Sequence, residues 1–366
     1  MSDGREGTDH RPGRPRTALL LMAAALLTAA GLLTSAAVAL GVTGAGGASP
    51  GPPELVYVAN ADAGPVTAYL ATSSGDVSPM ATVPNPHNKQ TVWDPWVVTF
   101  GPSSTLFVQS FLSDATTFAF APGASTPSRI FRVQGPDSEG MAVDAHGYEY
   151  VMGGESAPVI SVAAPGAAGR RSNLYDVSPL RQIDTNQDGF SPWPSVLAVD
   201  STNQVLAAVT HPGGNAIEVF RGGPAASTDP VRTITGPHTG LGSCAGFDTC
   251  AHVSITYSPL SRDIYAAVSS NSGTRIEEFA GNASGDASPQ RVIAGSRTGL
   301  TGMVITGIAV SQHSGDLFVL VKPGQFQGPG SIEAFAPLAQ GDVAPVHSFV
   351  DQHSKFADGE GIALAG

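Results

Sequence analysis

The chain has 366 residues, of which only 13% are charged, and 44 Gly with 29 Pro punctuate it throughout, which argues against a fold of long amphipathic helices. Its formal net charge of −12, with no local basic patch, sets it against phosphate backbones and excludes nucleic acid as the expected partner. Hydrophobic residues at 42% suffice for a full core, and one all-β repeat domain is expected.

Residues 1–16 form a polar leader carrying Arg5, Arg11, Arg14 and Arg16, and residues 17–42 then run without a charge. A basic leader before an apolar run is a secretory signal or a membrane anchor. Residues 19–33 followed by Ala37-Val38-Ala39 supply a cleavable signal, and the whole run supplies the roughly 20 residues of a transmembrane helix. Both readings stay open. Either way the Arg-rich flank is cytoplasmic and the remainder extracytoplasmic, secreted or anchored to the cell membrane. No Cys follows the run, so no lipid anchor is indicated. Residues 43–53 (TGAGGASPGPP) read as a flexible linker.

A repeat fills residues 54–366. Its clearest copy is 252–300, where HVSITY, DIYAAV, TRIEEF and QRVIA read as four short strands separated by turn compositions. An aromatic ends the third strand, and Gly-Asp-x-(Ser/Ala)-Pro then leads to the fourth. Tyr69 with Gly75-Asp76, Phe279 with Gly285-Asp286 and Phe335 with Gly341-Asp342 share this closely, and Phe120 and Phe220 begin looser copies. Gly-Asp suits a turn with positive φ, and Pro suits the start of an edge strand. The segments 236–241 (GPHTGL) and 295–300 (GSRTGL) match as crossovers between blades.

Small apolar inner strands are expected near Trp96, Gly140, Val196, Val253, Gly307 and Gly361, as strands around a narrow axis must be. The last has no strand after it, whereas 54–83 supply three strands with no inner strand before them. Pairing GIALA from the C-terminal end with LVYVA completes that blade and removes two open sheet edges. The expected fold is an all-β, six-bladed β-propeller closed by its C-terminal strand and preceded by one N-terminal hydrophobic helix.

The pattern Gly-(Ile/Met)-Ala-Val-(Asp/Ser), then Gly-Asp-Leu-Phe-Val, then a third strand ending in Phe resembles the NHL-like and lactonase-like repeat propellers of bacterial extracytoplasmic proteins. The resemblance covers residues 54–366 and implies an architecture more than an activity, because that class holds binding scaffolds, lyases and lactonases. The Gly-His and Trp-Asp signature of WD repeats is missing.

Several constellations are candidates for chemistry. Cys244 and Cys250 are the chain's two cysteines and, in an extracytoplasmic protein, are expected to form one disulfide. Asp184, Asn186 and Asp188 match the first half of a calcium loop, with Ser195 where an EF-hand needs Glu, so calcium and an ordinary acidic turn both fit. Asp94, Glu139, Ser195, His252, Thr306 and Glu360 are expected at the starts of inner strands, around the mouth of the axial channel. Glu139-Gly140 and Glu360-Gly361 resemble the Glu-Gly of gluconolactonase-type propellers, which implies a divalent cation and a catalytic set of Glu139, His252 and Glu360. The plainer reading is that these groups cap strand ends. Trp93, Trp96 and Trp193 flank the same region as interblade packing or as an aromatic rim. The leading expectation is a monomeric scaffold for a small ligand or an extracellular protein; the alternative is a metal-dependent lactone or ester hydrolase.

Overall fold

The computed structural model describes residues 52–61, 64–86, 93–111, 116–133, 138–153, 159–168, 176–185, 196–211, 213–224, 227–242, 251–324, 329–351, 353, 356 and 359–365. The leader, the expected hydrophobic helix and most of the linker lie outside these residues, as do Asn186, Asp188, Trp193, Ser195, Cys244 and Cys250. Among the described residues no helix is long and apolar enough to cross a membrane.

The described strands form six sheets, four of four strands and two of five, and these are the six blades of a propeller. Blade 1 takes Leu55–Asn60, Val66–Leu70 and Ala81–Val83 from the start of the repeat region, and its innermost strand is Gly359–Ala365. That strand pairs antiparallel with Leu55–Asn60, with Leu55 opposite Ala365 and Ala59 opposite Gly361. Blade 2 is Pro95–Phe100, Leu106–Ser110, Thr117–Phe120 and Arg129–Val133. Blade 3 is Ser138–Val143, Glu149–Gly153, Val159–Ala163 and Arg181–Asp184. Blade 4 is Leu197–Val199, Val205–His211, Gly214–Phe220 and Arg232–Ile234. Blade 5 is His252–Tyr257, Ile264–Ser270, Gly273–Phe279 and Arg291–Ile293. Blade 6 is Val304–Val310, Leu317–Lys322, Ser331–Phe335 and His347–Val350.

Strands buried on both faces need β-branched or aromatic side chains in nearly continuous runs, and VLAAVTH, IYAAVSS and LFVLVK supply them. The aromatic that ends the third strand is the anchor of each blade: Tyr69, Phe120, Phe220, Phe279 and Phe335 are all fully buried. Each such side chain contributes about 1.5–3 kcal/mol by leaving water. Blade 3 has Ala163 at this place.

The Gly-Asp motif does more than turn the chain. Gly75, Gly285 and Gly341 do adopt φ of +78°, +64° and +73°. In addition Gly285 bridges Ile234 of blade 4 and Gly341 bridges Ile293 of blade 5, while Gly75-Asp76 runs beside Phe349 and Val350 of blade 6. The aspartate then reaches the crossover segment. Asp286 accepts the His238 backbone N–H at 2.7 Å and faces its Nδ1 at 2.6 Å; these hydrogen bonds hold the Asp286 carboxyl below the usual carboxylate range. Asp342 accepts the Arg297 N–H at 2.6 Å. Gly236 and Gly295 sit at φ of +135° and +132°, and a Cβ at either would land on the aspartate carboxyl. The two motifs are therefore the two halves of one blade-to-blade clasp.

Candidate functional site at the channel mouth

The inner strands of all six blades line an axial channel of about 210 Å³, walled by residues 97–100, 141–143, 197–199, 255–257, 308–310 and 362–364. Its side chains are mostly aliphatic. Close approach of neighbouring inner strands explains the repeated glycine at its mouth. A Cβ on Gly361 would stand 2.7 Å from the Trp96 carbonyl oxygen, and one on Gly140 would stand 2.6 Å from Val196 Cγ2.

Strand pairing fixes which residues are equivalent around the mouth. Val97, Gly140, Ser254, Gly307 and Gly361 pair with Gln109, Met152, Ala267, Leu320 and Ala59 of their second strands. The preceding residues are Trp96, Glu139, Val253, Thr306 and Glu360. In four of these blades that residue is the extra one of a β-bulge, the pairing being shifted around Trp96, Glu139, Thr306 and Glu360. Bulges at a barrel or channel rim re-aim one side chain out of the ladder. Glu139, Thr306 and Glu360 thus share one position, as their sequence context suggests. Asp94 and His252 do not: each lies further back along its strand, where Trp96 and Val253 hold the equivalent place. Blades 2 and 5 carry Val97 and Ser254 where blades 1, 3 and 6 have the glycine, so no glycine marks the place in the sequence and these two fall out of step.

Glu360 is 2% exposed and Lys322, on the second strand of blade 6, is 0% exposed. Lys322 Nζ donates to Glu360 Oε1 at 2.6 Å. A buried charge needs a partner, and here the partner is an ammonium from the neighbouring blade. Beside it Thr306 Oγ1 donates to the Gly359 carbonyl at 3.1 Å. Lys322 thus engages one oxygen of the carboxylate that the lactonase-type expectation turns toward a divalent cation. His252 opens the inner strand of blade 5 opposite Ser269, and burial pushes its pKa down to about 4, so its ring is neutral near pH 7. Glu139 belongs to blade 3 and lies at the bulge; its side chain is outside the described residues. The three candidates stand on blades 1, 3 and 5, and among the described residues no three His, Cys, Asp or Glu side chains group to hold a metal ion.

Asp94, Trp93 and Trp96 are packed into the blades. Asp94 is buried and its N–H bonds Ser110 Oγ at 3.0 Å. Trp93 packs edge-on against Phe118 with ring centroids 5.1 Å apart and donates Nε1–H to the Gly64 carbonyl at 2.6 Å. Trp96 stacks on Phe111 at 4.6 Å. Both indoles are packing residues and not a rim. Asp184 ends the outer strand of blade 3, paired with Val159. Lys322 was missed because a lone lysine at the end of an apolar strand carries no pattern of its own; its only signal is that such a charge must be paired if the strand is buried.

No protein-family model matches the chain, and no curated protein matches it. Solved structures do. A protein of unknown function from Bacteroides caccae is similar over 85% of this chain and 98% of its own, at 9% identity and a TM-score of 0.54. The apo form of AztD from Citrobacter koseri is similar over 86% and 98%, at 13% identity and a TM-score of 0.42. The WD40 β-propeller domain of Doa1 is similar over 72% and 71%, at 12% identity and a TM-score of 0.45. The likeness to the Bacteroides caccae protein, at 9% identity, is one of fold alone.

Proposed function

We propose that this chain is an extracytoplasmic propeller of the NHL-like or lactonase-like kind. It serves as a monomeric binding scaffold whose channel mouth receives a small ligand or an extracellular protein. The observation that carries this reading is the buried Lys322–Glu360 pair. It commits the carboxylate that metal-dependent lactone hydrolysis would need to the job of holding two blades together. A channel walled mostly by aliphatic side chains, with Thr99, Thr256, Tyr257 and Gln312 among them, suits recognition by shape and a few polar contacts. The charge-free run at 17–42 supports the location outside the cytoplasm.

Elemental analysis of the purified full chain after exhaustive dialysis, together with a lactone-hydrolysis assay, tests this. The expected result is no stoichiometric divalent ion at the mouth and no turnover. A stoichiometric ion that is lost in Glu360→Ala, together with lactone turnover, makes the protein a hydrolase instead.

A further inference from the structure

A second cleft lies at the opposite end of the blades, where the turns between inner and second strands of blades 3 and 4 face each other. Its volume is about 590 Å³, and Asp144, His146 and Tyr148 line it from one side and Asn203, Gln204 and Arg221 from the other. One of its features breaks the repeat. The residue after the last aromatic of the third strand is Leu70, Ala121, Ala280 and Ala336 in blades 1, 2, 5 and 6, and Ala164 in blade 3; in blade 4 it is Arg221. Departures from an otherwise consistent pattern concentrate at functional places. The Arg221 guanidinium is exposed and makes no ion pair among the described residues; only its carbonyl is engaged, by Arg181 at 2.9 Å.

Hydrogen bonds from the turns engage the carboxylates near the cleft. Asp144 Oδ1 accepts the N–H groups of His146 and Tyr148, both at 2.9 Å, and its Oδ2 accepts the Tyr150 hydroxyl at 2.8 Å. Asp200 Oδ1 accepts the N–H groups of Thr202 and Gln204 at 2.8 and 2.9 Å. These bonds shape the turns and spread the charge, leaving Arg221 as the cleft's open cation. Asn203 spends its Oδ1 on the Ala145 N–H at 3.1 Å, which leaves its amide hydrogens to donate. Gln204 and the half-buried Tyr148 ring complete a wall of one cation, two amides and one aromatic face.

We infer that this cleft binds a saccharide bearing a single carboxylate, with Arg221 gripping the carboxylate, Asn203 and Gln204 meeting ring hydroxyls and Tyr148 covering an apolar ring face. Arg fits a planar carboxylate with two parallel hydrogen bonds. One cation in a chain of net charge −12 selects a monoanion over a polyanion, which the surrounding field repels. The cleft lies on the other end of the blades from the channel mouth, so this inference stands apart from the proposed function.

Titration of the full chain with D-glucuronate, followed by saturation-transfer NMR, tests it, with D-glucose and inorganic phosphate as comparison probes. Glucuronate is expected to bind one to one, at least tenfold tighter than glucose or phosphate. Arg221→Ala should weaken it at least tenfold with an unchanged melting temperature, Gln204→Ala should weaken it less, and Arg221→Lys should retain part of the affinity. Absence of glucuronate binding, equal binding of glucose or phosphate, or an unaffected Arg221→Ala overturns the inference. Glu360→Ala, which probes the channel mouth, should leave glucuronate affinity unchanged if the protein remains folded.

Discussion

The junction between blades 6 and 1 and the junctions between blades 4, 5 and 6 share the Gly-Asp turn laid beside the preceding blade, but different side-chain chemistry completes them. Along the chain, blades 4 to 6 are tied covalently, and exposed aspartates on positive-φ glycine corners finish the joint, as Asp286 does over Gly236 and Asp342 over Gly295. At the seam the chain runs on from blade 6 into the closing strand Gly359–Ala365, but nothing covalent joins blade 6 to the three N-terminal strands of blade 1. There the contacts are directional: the buried pairs of Lys322 with Glu360 and of the Tyr69 hydroxyl with Asp351 at 2.8 Å, and the part-buried Ser311 Oγ with Glu54 at 2.7 Å. Buried polar pairs tolerate few alternative arrangements, so they specify a register that a purely apolar seam would leave open to slippage.

The sharpest way to break this contrast is Lys322→Ala, which strands the Glu360 carboxylate at the seam. A loss of about 3–5 kcal/mol in urea unfolding is expected. Replacing both members with apolar residues, Lys322→Met with Glu360→Leu, should recover most of that stability. A loss below about 1 kcal/mol for the single variant would show that the seam does not depend on the pair. The in-line clasp should be less sensitive. Gly295→Ala forces a left-handed backbone on a residue with a Cβ and pushes Asp342 aside, with an expected cost of about 1–3 kcal/mol in the same assay. A cost equal to that of Lys322→Ala would erase the distinction.

The joint between blades 2 and 3 is an in-line junction built in a third way, and it gives the smallest effect. Arg129 reaches the buried Glu149, donates to the Ala167 carbonyl at 2.6 Å and lies over the Phe131 ring at 4.2 Å. Burial outweighs Arg129 and pushes the Glu149 pKa up to about 6 from 4.5. Because the fold favours the protonated acid, its contribution is fully present below about pH 4.5 and is lost as pH rises through about 6. A change on the order of 1–2 kcal/mol across that window follows. In Glu149→Gln this portion of the stability profile should flatten; an unchanged slope would assign it to other groups.

How much of this was legible depended on whether the signal repeats. Six blades, the closing strand and the positive-φ Gly-Asp turn could be read because each recurs at a fixed offset from an aromatic such as Phe279 or Phe335. That the Gly-Asp and crossover motifs touch was not legible, since Asp286 and Gly236 belong to different copies and no spacing links them. The mouth was read only in part. Glu139, Thr306 and Glu360 each precede a glycine and share one position, but Val97 and Ser254 replace that glycine in blades 2 and 5, which left Asp94 and His252 without a marker. Lys322 and Arg129 occur singly, and a singular residue shows its role only once its neighbours in space are known.

The closing strand also sets a timetable for synthesis. Blade 1 receives two kinds of strand, three translated before every other blade and one translated after them all. A nascent chain therefore holds Leu55–Asn60 as an unprotected sheet margin while the ribosome makes everything between, and contacts of such long sequence separation are slow to form. Premature termination before Gly359 would remove no blade, yet it would leave that margin permanently open and the circle a crescent.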